Sequence, residues 1–156
     1  MNKSARSLKL TTVMFRAFSQ VQHAIAKDIE GYGLNTSEFG TLDVLYHKGP
    51  LPIQEVGKRI LMANSSMTYV VDKLDGRGFV SREKLERDRR SVMLRLTDEG
   101  RIFFETIFET HKETLDMLYG GLSEAEKEML TEHLKTIGYK AMEHNKRKKS
   151  KGDRHV

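Results

Sequence analysis

The segment Ser65–Gly100, SSMTYVVDKLDGRGFVSREKLERDRRSVMLRLTDEG, decides how this chain is expected to fold. Its first part has apolar residues at the i, i+3, i+4, i+7 spacing of a helix that buries one side. These residues are Met67, Val70, Val71 and Leu74. Gly76 and Gly78 then interrupt the helical pattern, and apolar residues begin to alternate with polar ones. The segment therefore predicts an amphipathic helix followed by a β-hairpin.

The hairpin is predicted from two runs, FVSREK at 79–84 and VMLRL at 92–96, on either side of a loop at Leu85–Ser91. The loop contains three arginines and one aspartate, namely Arg87, Asp88, Arg89 and Arg90. One carboxylate does not neutralise three guanidinium groups, so these side chains repel one another. The crowding indicates a surface that binds a polyanion.

Three helices are predicted before this segment. The first is amphipathic and covers residues 7–30, and the second begins with the capping-box pair Asn35 and Glu38. The third is short, contains Ile53, Val56 and Ile60 on one side, and is followed almost at once by the helix of the opening segment. Two short, tightly joined helices are typical of a helix-turn-helix, and the hairpin that follows makes it a winged helix. The predicted fold class is mainly α with a small β-hairpin.

Two more helices are predicted after the hairpin. Thr97 is a suitable N-cap for a helix that reaches the break at Gly120-Gly121. The last helix opens with a second capping box, formed by Ser123 and Glu126.

The chain is short enough for one domain. That domain is predicted at residues 1–145, with the winged helix at about 34–100 and helices at about 7–30 and 101–145 on either side. The last residues, 146–156, have no apolar side chain before the final position, so this basic tail is expected to be disordered.

Charge is unevenly distributed along the 156 residues, whose net charge is +5. The tail has six basic residues and one acidic residue, which leaves the rest of the chain neutral. Within that rest, residues 58–101 have eleven basic and seven acidic residues, whereas residues 102–145 have four basic and nine acidic ones. Oppositely charged solvated helix faces would explain this, and so would a polyanion-binding face in the middle of the chain.

Several functional classes are not expected. The chain has no cysteine, which excludes disulfides and direct thiol oxidation within it, and no apolar run is long enough to span a bilayer. We therefore expect a cytoplasmic protein without a membrane partner. The six histidines are dispersed and no catalytic or phosphate-binding motif occurs, so neither an enzyme nor a metal or cofactor site is predicted. His111 and His133 remain candidates for pairing with carboxylates.

Double-stranded DNA is the polyanion that a winged helix suits. Its second helix is expected in the major groove and its hairpin tip in the minor groove, where the negative potential attracts arginine. The candidate helix residues are Asn64, Ser65, Ser66, Thr68, Tyr69 and Lys73. The candidate wing residues are Arg87, Asp88, Arg89 and Arg90, with Asp88 orienting its neighbours. One alternative is that Asn64, Ser65 and Ser66 only form a helix cap. A separate alternative function is a non-enzymatic winged-helix module that binds RNA or a protein partner.

The sequence resembles the MarR family of transcriptional regulators from about Leu8 to Tyr139. The pieces SSMTYVVDKLDGRGFVSR and DRRSVMLRLTDEG match the family's recognition helix, its Asp-x-Arg wing and its Leu-Thr-x-x-Gly helix start. The resemblance implies an obligate homodimer, joined by the first and last helices, that binds a pseudo-palindromic operator and usually represses. The basic tail is not a general feature of the family.

The pieces LNTSEFGTLDVLYHKG and LMANSSMTYVVDKL are similar to the branch that controls catechol and quinone detoxification genes. This likeness implies release from the operator by a small effector, phenolic or quinone-like. Family ligands tend to bind where the dimerisation helices meet the winged helix. The apolar and aromatic residues available for such a pocket include Phe15, Phe18, Phe39, Tyr46 and Phe104, but each fits a core better than a ligand contact, so no ligand residue is assigned.

Overall fold

The computed structural model describes the backbone of residues 3–60, 66–85 and 88–152, and the side chains of residues 4–60, 66–83 and 92–147. The elements follow the order α1 (Lys3–Gly31), α2 (Thr36–Lys48), β1 (Leu51–Pro52), α3 (Ile53–Arg59), α4 (Met67–Gly76), β2 (Val80–Leu85), β3 (Asp88–Leu96), α5 (Asp98–Tyr119) and α6 (Glu124–Gly152). The predicted fold class, a mainly helical chain with a winged helix-turn-helix, is confirmed. The chain divides into two compact units, residues 1–115 and 116–156, each described by itself.

The sheet of the first unit has the strand order β1-β3-β2 and is antiparallel. Strand β1 places Leu51 opposite Leu94 and Pro52 opposite Met93. The predicted two-stranded hairpin is therefore incomplete, because a third strand pairs with its outer edge. Two residues, one of them a proline, are too few to show the alternation by which strands are predicted.

The loop predicted at Leu85–Ser91 is also wrong. Strand β2 extends to Leu85 and strand β3 already begins at Asp88, with these two residues opposite each other and an irregularity in register after Lys84. Charged residues are depleted in strands as a class, so the pattern indicated a loop. In a hairpin, however, backbone pairing continues wherever the side chains can remain in solvent.

The core of the first unit lies between the helices of the winged helix and one face of its sheet. Its fully buried side chains include Leu42, Val56, Val70, Val71, Leu74, Leu94 and Phe104. Close helix contact is predicted at Gly40, and the structure confirms it. A Cβ at that position of α2 would lie 2.9 Å from Ile60 Cγ2, directly after α3, so a larger residue would displace the Ile60 side chain.

The predicted helix starts are confirmed by their hydrogen bonds. The Glu38 amide donates to Asn35 Oδ1 at 2.8 Å, and the Asn35 amide donates to Glu38 Oε2 at 2.9 Å, which completes the capping box of α2. At the start of α5, the Gly100 amide donates to Thr97 Oγ1 at 2.9 Å. Helix α1 is slightly longer than the predicted 7–30.

The second unit contains the end of α5 and all of α6. The Ser123 amide donates to Glu126 Oε2 at 2.8 Å, so the predicted capping box is present. Disorder was predicted from residue 146, but α6 continues to Gly152, and residues 153–156 lie outside the described part. Lysine and arginine are good helix formers, and extending an existing helix needs no new nucleus, which accounts for the helical backbone up to Gly152, while disorder of residues 153–156 stays a prediction.

Candidate nucleic-acid interface

Helix α4 packs against the core of the winged helix along one of its faces. Val70, Val71 and Leu74 are completely buried, at the i, i+1 and i+4 positions of one helix face. A Cβ at Gly57 of α3 would lie 2.9 Å from Met67 Cγ, so α3 and α4 approach closely because this position has no side chain. The tight packing fixes the direction in which the opposite face of α4 points.

That opposite face is polar and exposed. Ser66, Thr68, Tyr69 and Lys73 are all exposed, and Tyr69 keeps 53% of its surface accessible. The Lys73 ammonium lies 5.6 Å from the centre of the Tyr69 ring, a cation–π contact one helical turn apart. Hydroxyl and ammonium groups arranged in this way donate to phosphates and base edges.

Ser66 is the N-cap of α4, but its side chain makes no capping hydrogen bond. The alternative that the polar residues at the start of α4 serve only as a helix cap therefore gains no support from Ser66. The neighbouring candidates Asn64 and Ser65 lie outside the described residues.

The wing candidates are described only in part. Arg87 lies outside the described residues, whereas Asp88, Arg89 and Arg90 form the first part of β3, with only their backbone described. Lower in the hairpin, Arg95 Nη2 lies 3.3 Å from Glu83 Oε2 on the neighbouring strand. The structure thus places the backbone of three candidates at the hairpin tip and leaves their contacts as predictions.

The sequence reasoning missed an ion-pair group between the hairpin and α4. Arg82 of β2 contacts Asp72 of α4 through Nη2, and its Nε lies 3.4 Å from Asp75 Oδ2. A signal was available, since Asp72 and Asp75 are spaced i, i+3 on the helix and Arg82 occupies a strand position where an inward residue is expected.

The base of the wing is fixed by Thr97 and Gly100. The Thr97 hydroxyl donates to the Gly78 carbonyl at 2.6 Å, and the Thr97 amide donates to the Phe79 carbonyl at 3.1 Å. A Cβ on Gly100 would lie 1.9 Å from that same Phe79 carbonyl oxygen. The Leu-Thr-x-x-Gly motif is therefore a joint between the end of the hairpin and the start of α5.

Arg77, directly after α4, makes a second joint. Its guanidinium carbon lies 4.7 Å from the centre of the Phe79 ring and 5.6 Å from that of Phe103, and its Nη1 donates to the Gly33 carbonyl at 2.8 Å. The end of α4 is thereby tied to the turn between α1 and α2.

A partly buried polar cluster lies where α1 meets α5. Asp28 accepts hydrogen bonds from His111 Nδ1 at 2.6 Å, from the Thr114 hydroxyl at 2.8 Å and from the Tyr32 hydroxyl at 2.9 Å. His111 was predicted as a candidate for pairing with a carboxylate, and the structure identifies its partner. The other candidate, His133, is exposed on α6.

The cluster shifts the pKa values of two of its members. Burial alone would raise the pKa of Asp28, but the hydrogen bonds from His111, Thr114 and Tyr32 outweigh it and hold this pKa below its usual value. Burial and the hydrogen bond to Asp28 raise the pKa of Tyr32 to about 12. The Asp28 carboxylate is therefore stabilised in its charged form inside the first unit.

A group of aromatic side chains lies next to this polar cluster. Phe39 lies 4.7 Å from the His111 ring and 5.4 Å from Phe104, and Tyr46 lies 5.2 Å from Phe104 (ring centroids). These three aromatic residues pack in or against the core of the first unit, which is the role that the sequence favours for them. The other two, Phe15 and Phe18, are 63% and 57% exposed on α1 and make no ring contact in the described part of the chain.

Among the residues that the structure describes, no group of three or more potential metal ligands occurs. Within the same described ranges, no helix is long and apolar enough to cross a membrane.

A family model, the MarR family, matches residues 34–92, the region from α2 to the hairpin. The HTH-type transcriptional regulator MhqR of Bacillus subtilis is 42% identical over 142 residues, which cover 90% of this chain and 98% of that protein. This chain belongs to the MarR family. Membership makes it a relative of helix-turn-helix transcriptional regulators, as the resemblance implied.

Solved structures share its fold. A MarR-like transcription regulator from Bacillus cereus superposes with a TM-score of 0.75 at 21% identity, covering 86% of this chain and 97% of that chain. A cysteine-to-serine mutant of MarR from Escherichia coli, complexed with operator DNA, superposes with a TM-score of 0.72 at 17% identity, covering 88% and 99% respectively.

Proposed function

We propose that this MarR-family protein is a homodimeric, sequence-specific DNA-binding regulator that represses transcription from a pseudo-palindromic operator. The single observation that supports this most is the rigid placement of α4. Its apolar side is completely buried, so Ser66, Thr68, Tyr69 and Lys73 project from a fixed helix face. Such a face fits the major groove, where hydroxyl groups reach phosphates and base edges.

The wing completes the proposed interface. Arg87, Arg89 and Arg90 enter the adjacent minor groove in this proposal, with Asp88 orienting them. Arginine suits that groove because its charge is weakly hydrated and its fork of donors reaches several acceptors at once. Asn64 and Ser65 contribute at the start of α4 in the same way as Ser66.

Dimerisation is proposed because both end helices have exposed apolar residues. On α1 these include Leu8, Leu10, Val13, Phe15 and Phe18, and on α6 they include Met129, Leu130, Leu134, Ile137 and Met142. Exposed apolar surface of this extent marks an interaction site. A two-fold dimer would present its two α4 helices to half-sites roughly 10 bp apart.

An effector site is proposed at the aromatic cluster of Phe39, Tyr46 and Phe104. These rings lie between the winged helix and α5, and the hydrogen-bonded Asp28–His111 pair is next to them. A small phenol or quinone would stack on the rings and exchange hydrogen bonds with the polar groups. Its binding would shift α5 relative to α4 and release the operator.

The test is to sequence the DNA that the purified dimer enriches from sheared genomic DNA. Enrichment of a few loci that share an inverted repeat is expected, with affinity for a shuffled sequence lower by about three orders of magnitude. Equal binding to all duplexes, or preferential binding to RNA or to a protein partner, would contradict the proposal.

A further inference from the structure

Arg82 occupies an unusual position in the hairpin. Alternate residues of a strand face the same side, and Arg82 shares its side with Val80, which is 2% exposed. Its cross-strand partner is Leu94, which is completely buried, whereas Ser81 and Glu83 on the other side are exposed. An apolar side chain is expected at such a position, so the presence of arginine needs a reason.

The reason lies on the facing helix. Asp72 and Asp75 are placed one turn apart on α4, and both carboxylates contact the Arg82 guanidinium. Asp72 follows Thr68 by four residues on the exposed side of the helix, so it lies along the face proposed to meet DNA. An unpaired carboxylate there would be repelled by phosphate, and two of them more so.

We propose that Arg82 is a positioning residue for DNA binding, which offsets part of the negative charge of Asp72 and Asp75 and fixes the hairpin against the recognition helix. It acts through these two carboxylates and touches no phosphate itself. The proposal rests on the DNA-binding function proposed above. It also gives Asp72 and Asp75 a part in discrimination, because they prevent Arg82 from adding affinity that is independent of sequence.

A mutant cycle that removes the charges of Arg82, Asp72 and Asp75 tests the proposal. The probe is a duplex enriched by the wild-type protein from a randomised library, and the reference is a duplex of the same composition in shuffled order. Arg82→Met keeps most of the apolar part of the side chain and removes its charge. This substitution is made in two backgrounds, the wild-type protein and the Asp72→Asn, Asp75→Asn double variant. Arg82→Lys restores the charge without the fork of donors.

In the wild-type background, Arg82→Met is expected to weaken binding of the enriched duplex about tenfold, because two carboxylates are left unpaired. In the double-variant background the same change is expected to cost at most about threefold, which is the attraction that the freed Arg82 charge adds, since no carboxylate remains to repel the phosphates. Arg82→Lys should recover part of the loss.

The salt dependence separates this from direct contact. A residue that touches a phosphate lowers the log–log salt slope by about 0.9 when it is removed, in either background. Equal losses of affinity in the two backgrounds, together with that change of slope, would overturn the proposal and make Arg82 a phosphate ligand.

A second measurement decides the matter even if Arg82→Met does not fold. The Asp72→Asn, Asp75→Asn variant keeps Arg82, now without partners, and should bind the shuffled duplex about threefold more tightly and discriminate less. Unchanged or weaker binding of the shuffled duplex would overturn the proposal. If the wild-type protein enriches no sequence at all, the proposed DNA-binding function fails, and the proposal for Arg82 fails with it. If it does enrich a sequence but Arg82→Met costs the same affinity in both backgrounds, only the proposal for Arg82 is overturned.

Discussion

The apolar side chains of the winged helix and those of the end helices differ sharply in exposure. Leu42, Leu74 and Leu94 are fully buried, whereas Leu8 of α1 is 70% exposed and Met129 of α6 is 56% exposed. The winged helix therefore has a core of its own. The end helices have apolar surface that a second copy of the chain is proposed to cover. Changes in the first region should act on folding, and changes in the second on assembly.

The largest effect is expected inside the winged helix, at Gly100. Gly100→Ala places a methyl group against the Phe79 carbonyl, and backbone cannot move aside as a flexible side chain can. We expect a loss of about 3 kcal/mol or more in the free energy of unfolding, measured by urea denaturation. Gly138→Ala is the control, since its Cβ meets nothing within 4 Å, and it should stabilise α6 by about 1 kcal/mol. Similar stability of the two variants would show that the joint tolerates a side chain.

Assembly should respond to the end helices instead. Phe18→Glu or Leu134→Glu introduces a charge at a proposed interface, and each should convert the dimer to monomer with far weaker operator binding. Light scattering at micromolar concentration measures the mass. Gln20→Glu adds the same charge at an exposed polar position of α1 and should leave the dimer intact. A wild-type protein that is monomeric in this measurement would rule out the proposed assembly.

The wing should affect affinity without affecting folding or assembly. Arg90→Ala is expected to weaken operator binding ten- to a hundredfold, about the effect of one arginine contact, while Arg87→Ala does less. The salt slope should fall by about 0.9 for each lost phosphate contact. Lys112→Ala removes an equal charge from α5 and is the control. Unchanged affinity and slope in Arg90→Ala would refute the wing assignment.

How far the sequence alone leads can be judged from particular residues. The capping boxes and the buried stripe of α4 follow from short-range spacing, so they were predictable. The contact of His111 with Asp28 joins residues 83 positions apart, and no local pattern indicates such a partner. The Arg82 ion pairs were only partly indicated, because the spacing places Asp72 and Asp75 on one side of α4 but their contact with Arg82 depends on how the hairpin folds back over that helix. Local rules therefore predicted the elements, and only tertiary packing revealed the joints between them.

The Asp28 cluster is one of these joints, and its stability should depend on pH. The pKa of Asp28 is lowered in the folded protein, so its contribution is present above the ordinary value of 3.8 and is lost as the pH falls through the folded value. At pH 7, Asp28→Asn should cost about 2 kcal/mol of unfolding free energy, because three donors lose a charged acceptor. The difference from wild type should shrink below pH 4. Glu105→Gln, at an exposed position of α5, should show no such dependence.

The smallest effect is expected at the basic end of α6. Residues 146–156 contain an excess of positive charge equal to that of the whole chain, yet they have no apolar side chain before the last position with which to join a core. Deleting them should leave folding and dimerisation unchanged and lower the affinity for shuffled DNA a few fold at low salt, since basic residues that track the backbone add counterion release without reading bases. Discrimination between operator and shuffled DNA should stay level or rise. A variant with glutamine at the basic positions of this segment keeps its length and removes its positive charge. In titrations at two salt concentrations, this variant should have the same affinity for shuffled DNA as the deletion variant. A loss confined to the operator would show instead that this segment reads sequence.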